Sequence, residues 1–197
     1  MACGGSDDDA GEEEHPADET TVKDQDGNSY KTVAINGKTW MAENYRRAVG
    51  TYVHAHNSAD NDSGYGLLYD DDTVIAGDFC PAGWRLPTQN DFEELLNYVA
   101  QHRTSRSDFL ALIAKSPAWK DYANQGGDDF GFGALPAGNF MGGDLYLNFG
   151  EGAHFWSSSR GTHGDLYELN VHPDNTKVIE AYVGGKAPYF SVRCVKN

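Results

Sequence analysis

The stretch Cys80-Pro81-Ala82-Gly83-Trp84-Arg85-Leu86-Pro87-Thr88 constrains this chain more than any other, because it dictates a turn, an extended step and a helix start in succession. Pro81 and Gly83 turn the chain after Cys80. Pro87 keeps Leu86 extended, since a residue before proline is driven out of the α region. Thr88 then stands at a helix N-cap position with Asp91 three residues on, a capping box with Asp in place of Glu or Gln. Phe92, Leu95, Leu96 and Val99 follow at helical spacing, while Glu93, Glu94 and Asn97 fall on the other side. Trp84 and Leu86 can anchor the junction in a core. Cys80 can tie it to Cys194, or the two can stay as buried thiols; a disulfide suits an exported protein.

At 197 residues the chain fits one domain with a real core. The formal charge of −15 argues against a nucleic-acid backbone or an anionic membrane face as partner. Much of it sits in Asp7-Asp8-Asp9 and Glu12-Glu13-Glu14, so residues 1–20 read as a disordered acidic tail and residues 21–197 as the folded domain. No apolar run reaches the ~18 residues that span a bilayer. The beginning, Met1-Ala2-Cys3-Gly4-Gly5-Ser6-Asp7, resembles the start of a mature bacterial lipoprotein whose export signal has been removed, and the acidic cluster resembles the surface-export signal of Bacteroidetes lipoproteins. On that resemblance Cys3 carries acyl chains, the tail is a spacer, and the protein is exported to the outer membrane or cell surface, touching the membrane through its lipid anchor only.

The chain in order predicts an α+β class: short antiparallel strands at both ends and two helices mid-chain. Asp26-Gly27 and Asn36-Gly37 read as hairpin turns, because both central residues of a type I′ turn need positive φ, and together they predict a three-stranded meander ending in Lys38-Thr39-Trp40-Met41. Asp24, Asp26 and Asn28 imitate the opening of a calcium loop, but the twelfth position, which needs Glu, is Ile35. His54 and His56 would share a face of a strand, without an identifiable third ligand for a metal. Gly66 to Tyr69 reads as a short apolar strand and Asp70-Asp71-Asp72 as a solvated loop. A second helix is expected over Asp108–Lys115, capped by Ser107 and stopped by Pro117. Strands are expected over 145–149, 154–158, 165–171, 177–183 and 190–195, with Phe190, Val192 and Cys194 facing inward together.

Five blocks resemble the Fibrobacter succinogenes major paralogous domain: Asp24 to Asn44, Cys80 to Thr88, Gly131 to Gly138, Phe155 to Ser158 and Ser191 to Lys196. Phe92 departs from the pattern, where relatives often carry Trp. The resemblance implies a C-type-lectin-like fold, in the branch shared with formylglycine-generating enzyme, an exported surface-associated protein, and pairing of Cys80 with Cys194. Formylglycine-generating enzyme works through a reactive cysteine pair, and its sulfur-oxidising relatives hold iron with histidines. Here the two domain cysteines occupy disulfide-like places and no spaced histidine triad is evident, so a non-catalytic module is expected.

The leading expectation is a surface-anchored binding or adhesion module for an extracellular glycan or another extracellular polymer. Sugar binding wants exposed aromatic faces beside carboxylates and amides, sometimes around calcium. The loop from Trp119 to Asp129 supplies Trp119, Tyr122, Asn124, Asp128 and Asp129; Trp40, Trp84 and Trp156 are assigned to the core. The alternatives are a docking or structural subunit that meets another surface protein, and an enzyme related to formylglycine-generating enzyme.

Overall fold

The computed structural model describes residues 21–181 and 188–197; Cys3, the acidic tail and the end of the strand expected to reach Val183 lie outside the described residues. The chain is mixed α/β, with mostly antiparallel strands and few helices. Strand β1 (Thr21–Lys23) pairs with β2 (Ser29–Ile35), which pairs with β3 (Lys38–Met41), as the two turn signals require. The second turn has Asn36 at φ 49° and Gly37 at φ 74°, both positive as a type I′ turn needs. The first turn differs from expectation. Asp24 pins a longer connection, accepting from the backbone N–H of Asp26 and of Asn28 at 2.9 Å each and from the Tyr30 hydroxyl at 2.7 Å. Asn28 Nδ2 takes up the same carboxylate at 2.9 Å. Both oxygens of Asp24 accept from protein donors and so fix the turn.

The Gly-, Asp- and Asn-rich segment from about residue 48 to 79 holds β4 (Tyr52–His54), α1 (Asp62–Tyr65), β5 (Leu67–Tyr69) and α2 (Asp71–Val74), β5 being the expected short apolar strand. Asp70 is the N-cap of α2, its carboxylate accepting from Thr73 N–H, so the Asp run starts a helical turn rather than a plain loop. After β6 (Trp84–Arg85) the capping box of Thr88 and Asp91 opens α3 (Gln89–His102), as predicted. Helix α4 (Asp108–Leu112) starts at the predicted cap Ser107 but ends early. Ile113 turns extended and bridges Ala134, and Ala114 N–H donates to Ala134 O at 2.9 Å, so a tertiary partner replaces the last helical turn.

The carboxy-terminal half contains β7 (Asn139–Phe140), β8 (Tyr146–Leu147), β9 (Ala153–Arg160), β10 (Leu166–Val171), β11 (Lys177–Glu180) and β12 (Val195–Lys196). Asn148, at φ 60°, turns the chain and leaves β8 shorter than the expected strand. Among the described residues the first sheet runs β1-β2-β3-β12-β6, so the last strand lies between β3 and β6, with Val195 opposite Trp40 and Arg85. The second runs β11-β10-β9, and β4-β5 and β7-β8 form two-stranded ribbons. One core packs α3 and α4 against Trp40, Phe132, Phe155 and Leu169. The other gathers Tyr30, Tyr45, Tyr69, Phe79, Trp156 and Phe190 around the disulfide. Cys80 and Cys194 are bonded across 114 residues. Phe190, Val192 and Cys194 are buried, but so are Ser191 and Arg193 between them, and the strand expected over 190–195 is reduced to bridges and β12, because this segment runs through the core with protein on both sides. Trp84 is only partly buried.

Candidate functional site: a groove walled by Tyr122

The loop that follows α4 does not bring its five predicted ligand residues together. Trp119 is 0% exposed, with Phe109 packed edge-on at 5.2 Å and its indole N–H donating to Ala134 O at 3.2 Å. It closes the core over α4 and offers no face to a ligand, which corrects the expectation for it. Asp129 is consumed locally: Thr104 N–H, Ser105 N–H and the Ser105 hydroxyl donate to its carboxylate at 2.6, 2.7 and 2.6 Å. Burial by itself would raise its pKa, but these donors hold it below the ordinary value. Asp128, at φ 46°, accepts from Gly133 N–H at 2.6 Å. Burial pushes its carboxyl up, against the opposing pull of that N–H and of the Arg193 charge. Asn124 is an exposed turn residue at φ 58°, its N–H donating to Ser116 O at 3.0 Å. Tyr122 lines a groove.

That groove is a depression of about 240 Å³ where three turns meet: Asp121 and Tyr122, Gly150 and Glu151, and His172, Pro173 and Asp174 in the β10–β11 connection. Tyr122 is half-buried, and its ring leans edge-on against Phe109 at 5.0 Å, so the aromatic wall is held rather than free to rotate away. Lys120 crosses beside it. Its N–H donates to Gly150 O at 2.9 Å and its ammonium to Glu151 at 2.7 Å. Gly150 is required here, because it sits at φ 82° and a Cβ on it would lie 2.8 Å from Lys120 Cε. The Lys120 hydrogen bond holds the Glu151 carboxyl below its ordinary value. A second depression of about 360 Å³ continues past the shared wall of Pro173 and Asp174, toward Asp108, Phe109 and Lys177.

Asp121, Glu151, His172 and Asp174 did not figure in the sequence reading. Glu151, His172 and Asp174 sit beside a Gly or Pro and Asp121 in a polar turn, and no local pattern says that these turns share one end of the molecule. Among the described residues no group of three His, Cys, Asp or Glu side chains is placed to hold a metal ion. The two histidines expected to share a strand face do not: β4 ends at His54, which bonds Asp62 at 2.9 Å, while His56 takes φ 50° and stacks on Phe149 at 4.6 Å. A further cleft of about 310 Å³ lies beside the disulfide, lined by Val74, Ile75, Phe79, Trp84 and Leu86 among others.

The model of the Fibrobacter succinogenes major domain matches residues 33–196. The chain belongs to this family. No curated protein and no solved structure matches it.

The family blocks have a common physical purpose in this member of the Fibrobacter succinogenes major domain family. Arg193, fully buried, donates to Asn44 Oδ1 at 2.9 Å, to Gly133 O at 2.9 Å and to Phe132 O. Its guanidinium also lies over the rings of Phe132 and Phe155, at 4.6 and 5.2 Å from their centroids. Burial lowers its pKa to about 9, with Asp128 and Glu43 the carboxylates that oppose the shift. Cys194, the next residue, carries the bond to Cys80. Trp156 N–H donates to Ser191 O at 3.1 Å. Blocks far apart in sequence therefore converge on the last one, which makes them a framework and leaves the Tyr122 groove to turns outside them.

Proposed function

We propose that this domain is a non-catalytic binding module of an exported, surface-anchored protein, and that it holds a carbohydrate or another extracellular polymer in the Tyr122 groove. The observation that carries the reading is the half-buried Tyr122 ring set among Asp121, Glu151 and Asp174 in one concavity. A ring supplies a flat apolar surface for the C–H face of a sugar, and the carboxylates and imidazole accept or donate hydrogen bonds to its hydroxyls. The Cys80–Cys194 disulfide supports export, since such bonds persist in oxidising compartments. With both of these cysteines in the bond, neither is a free thiol, which favours binding over thiol chemistry. The finer fold reading, a C-type-lectin-like domain, is supported by the pairing of amino- and carboxy-terminal strands at Trp40 and Val195 and by the two helices between them. Acylation of Cys3 belongs to the same reading and rests on the residues around it.

The test is a glycan and polysaccharide screen on the folded protein, in calcium and again in chelator, repeated with Tyr122→Ala. Binding that Tyr122→Ala abolishes supports the module and its site, and calcium dependence would add the ion. Absence of binding in both buffers, or binding indifferent to Tyr122→Ala, overturns it. A second reading, a docking subunit of a surface assembly, is favoured by the cleft beside the disulfide, where Ile75 is 42% exposed next to Trp84.

A further inference from the structure

The distribution of charge along the groove carries the reading one step further, to the class of polymer. Resting on the site proposed above, we infer that the groove selects an extended glycan bearing amino groups, such as a polymer of unacetylated amino sugars, over neutral glycans, and rejects uronate or sulfated ones. Two observations lead there. First, the depressions of about 240 and 360 Å³ share Pro173 and Asp174 as a common wall, so the concavity is elongated. Tyr122, from one depression, leans edge-on at 5.0 Å against the buried Phe109 at the other, so the two are held in fixed relation. An elongated concavity fits consecutive residues of a chain better than one compact ligand.

Second, the carboxylates of the groove fall into two kinds. Asp108 is paired with Arg103 at 2.6 Å and Glu151 with Lys120 at 2.7 Å, so each of those charges is already answered. Asp121 and Asp174 have no ion pair or side-chain hydrogen bond among the described residues, and both line the Tyr122 depression. Lys177, which has no ion pair among the described residues, lines the other depression, while the Tyr122 depression holds His172, an imidazole that is uncharged unless protonated. The Tyr122 end therefore presents two unanswered negative charges beside an aromatic ring. An ammonium on a sugar stacked there would meet both, whereas a carboxylate or sulfate would be repelled by both.

The experiment compares three oligosaccharides of matched length by calorimetry on the folded protein: oligoglucosamine, its N-acetylated counterpart and oligogalacturonate. The expected result is oligoglucosamine binding about tenfold more tightly than the N-acetylated chain, with the gap shrinking as salt rises from about 50 to about 300 mM and no binding of oligogalacturonate. Asp121→Asn with Asp174→Asn should remove the gap and leave binding of the neutral chain intact. A control pair, Asp60→Asn with Asp72→Asn, removes the same charge at exposed positions that do not line the groove and should leave the gap unchanged. Equal affinity for the cationic and neutral chains, or a gap that both double variants reduce alike, overturns the inference while the binding site stands. Failure of the cationic and the neutral chain alike, or binding that Tyr122→Ala does not affect, overturns the site reading and the inference with it.

Discussion

Arg193 Nε donates to Asn44 Oδ1 at 2.9 Å across 149 residues of sequence. The same guanidinium satisfies the carbonyls of Phe132 and Gly133, so one side chain joins the first, third and last family blocks, with no direct carboxylate partner among the described residues. Replacing it by Met leaves those acceptors buried and unpaired, and the expected cost is about 3–5 kcal/mol. Arg193→Lys keeps a charge but cannot reach three acceptors at once, and it should recover less than half of that loss. Urea unfolding of both variants checks this, and a loss below about 1 kcal/mol for the Met variant would contradict the role.

Asp91 gives the domain an acid-sensitive joint. It is 3% exposed and takes hydrogen bonds from Arg85 at 2.6 Å and from Thr88 N–H at 2.7 Å, with Lys38 also donating. Burial would raise its pKa, but those donors outweigh it and hold the carboxyl far below the ordinary 3.8. In acid the unfolded chain therefore takes up this proton before the folded one does. The contribution is complete above about pH 4 and is lost as pH falls below that. Asp91→Asn should lower stability at pH 7 by about 1.5–3 kcal/mol and flatten the fall of the urea midpoint between about pH 4 and 2. An unchanged acid limb in the variant would count against it.

The Cys80–Cys194 bond closes a loop spanning 114 residues. The chain-entropy model puts such a cross-link near ~4–5 kcal/mol. Reduction, or Cys80→Ala with Cys194→Ala, should lower the unfolding free energy by roughly 2–5 kcal/mol. The melting temperature of the double variant should be insensitive to reductant, while that of the parent should fall.

Trp119 and Tyr122 lie three residues apart and should behave as different kinds of residue. Trp119→Ala empties a fully buried site and should cost about 3–5 kcal/mol, so any loss of binding would follow loss of fold. Tyr122→Ala gives up a half-buried ring and should cost about 1–2 kcal/mol at most while removing the groove wall. Parallel melting and binding curves distinguish the two, and a Trp119→Ala protein of unchanged stability would refute the core assignment.

The parts of the architecture legible in the sequence are those that short-range physics governs. Thr88 with Asp91 starts α3 because two backbone donors and two side chains satisfy one another within a single turn. Asn36-Gly37 reverses the chain because its backbone tolerates positive φ. Helix α4 shows where local reading ends: Ser107 starts it as expected, but Ala134, a residue far along the chain, decides where it stops. Trp119 shows the same for the site, since an aromatic among polar residues looks exposed until α4 and Ala134 enclose it.

What the sequence by itself determined is the framework: the turns, the capped helix, the two inward cysteines and the blocks that place the chain in its family. Each follows from preferences acting over a few residues. What only the tertiary structure decided is which polar groups are taken up by protein partners and which are left exposed. Asp129 and Asp24 are spent on backbone donors, while Asp121 and Asp174 are not, and that difference depends on neighbours brought in from elsewhere in the fold. A carboxylate looks the same in a sequence whether or not a donor folds back to meet it.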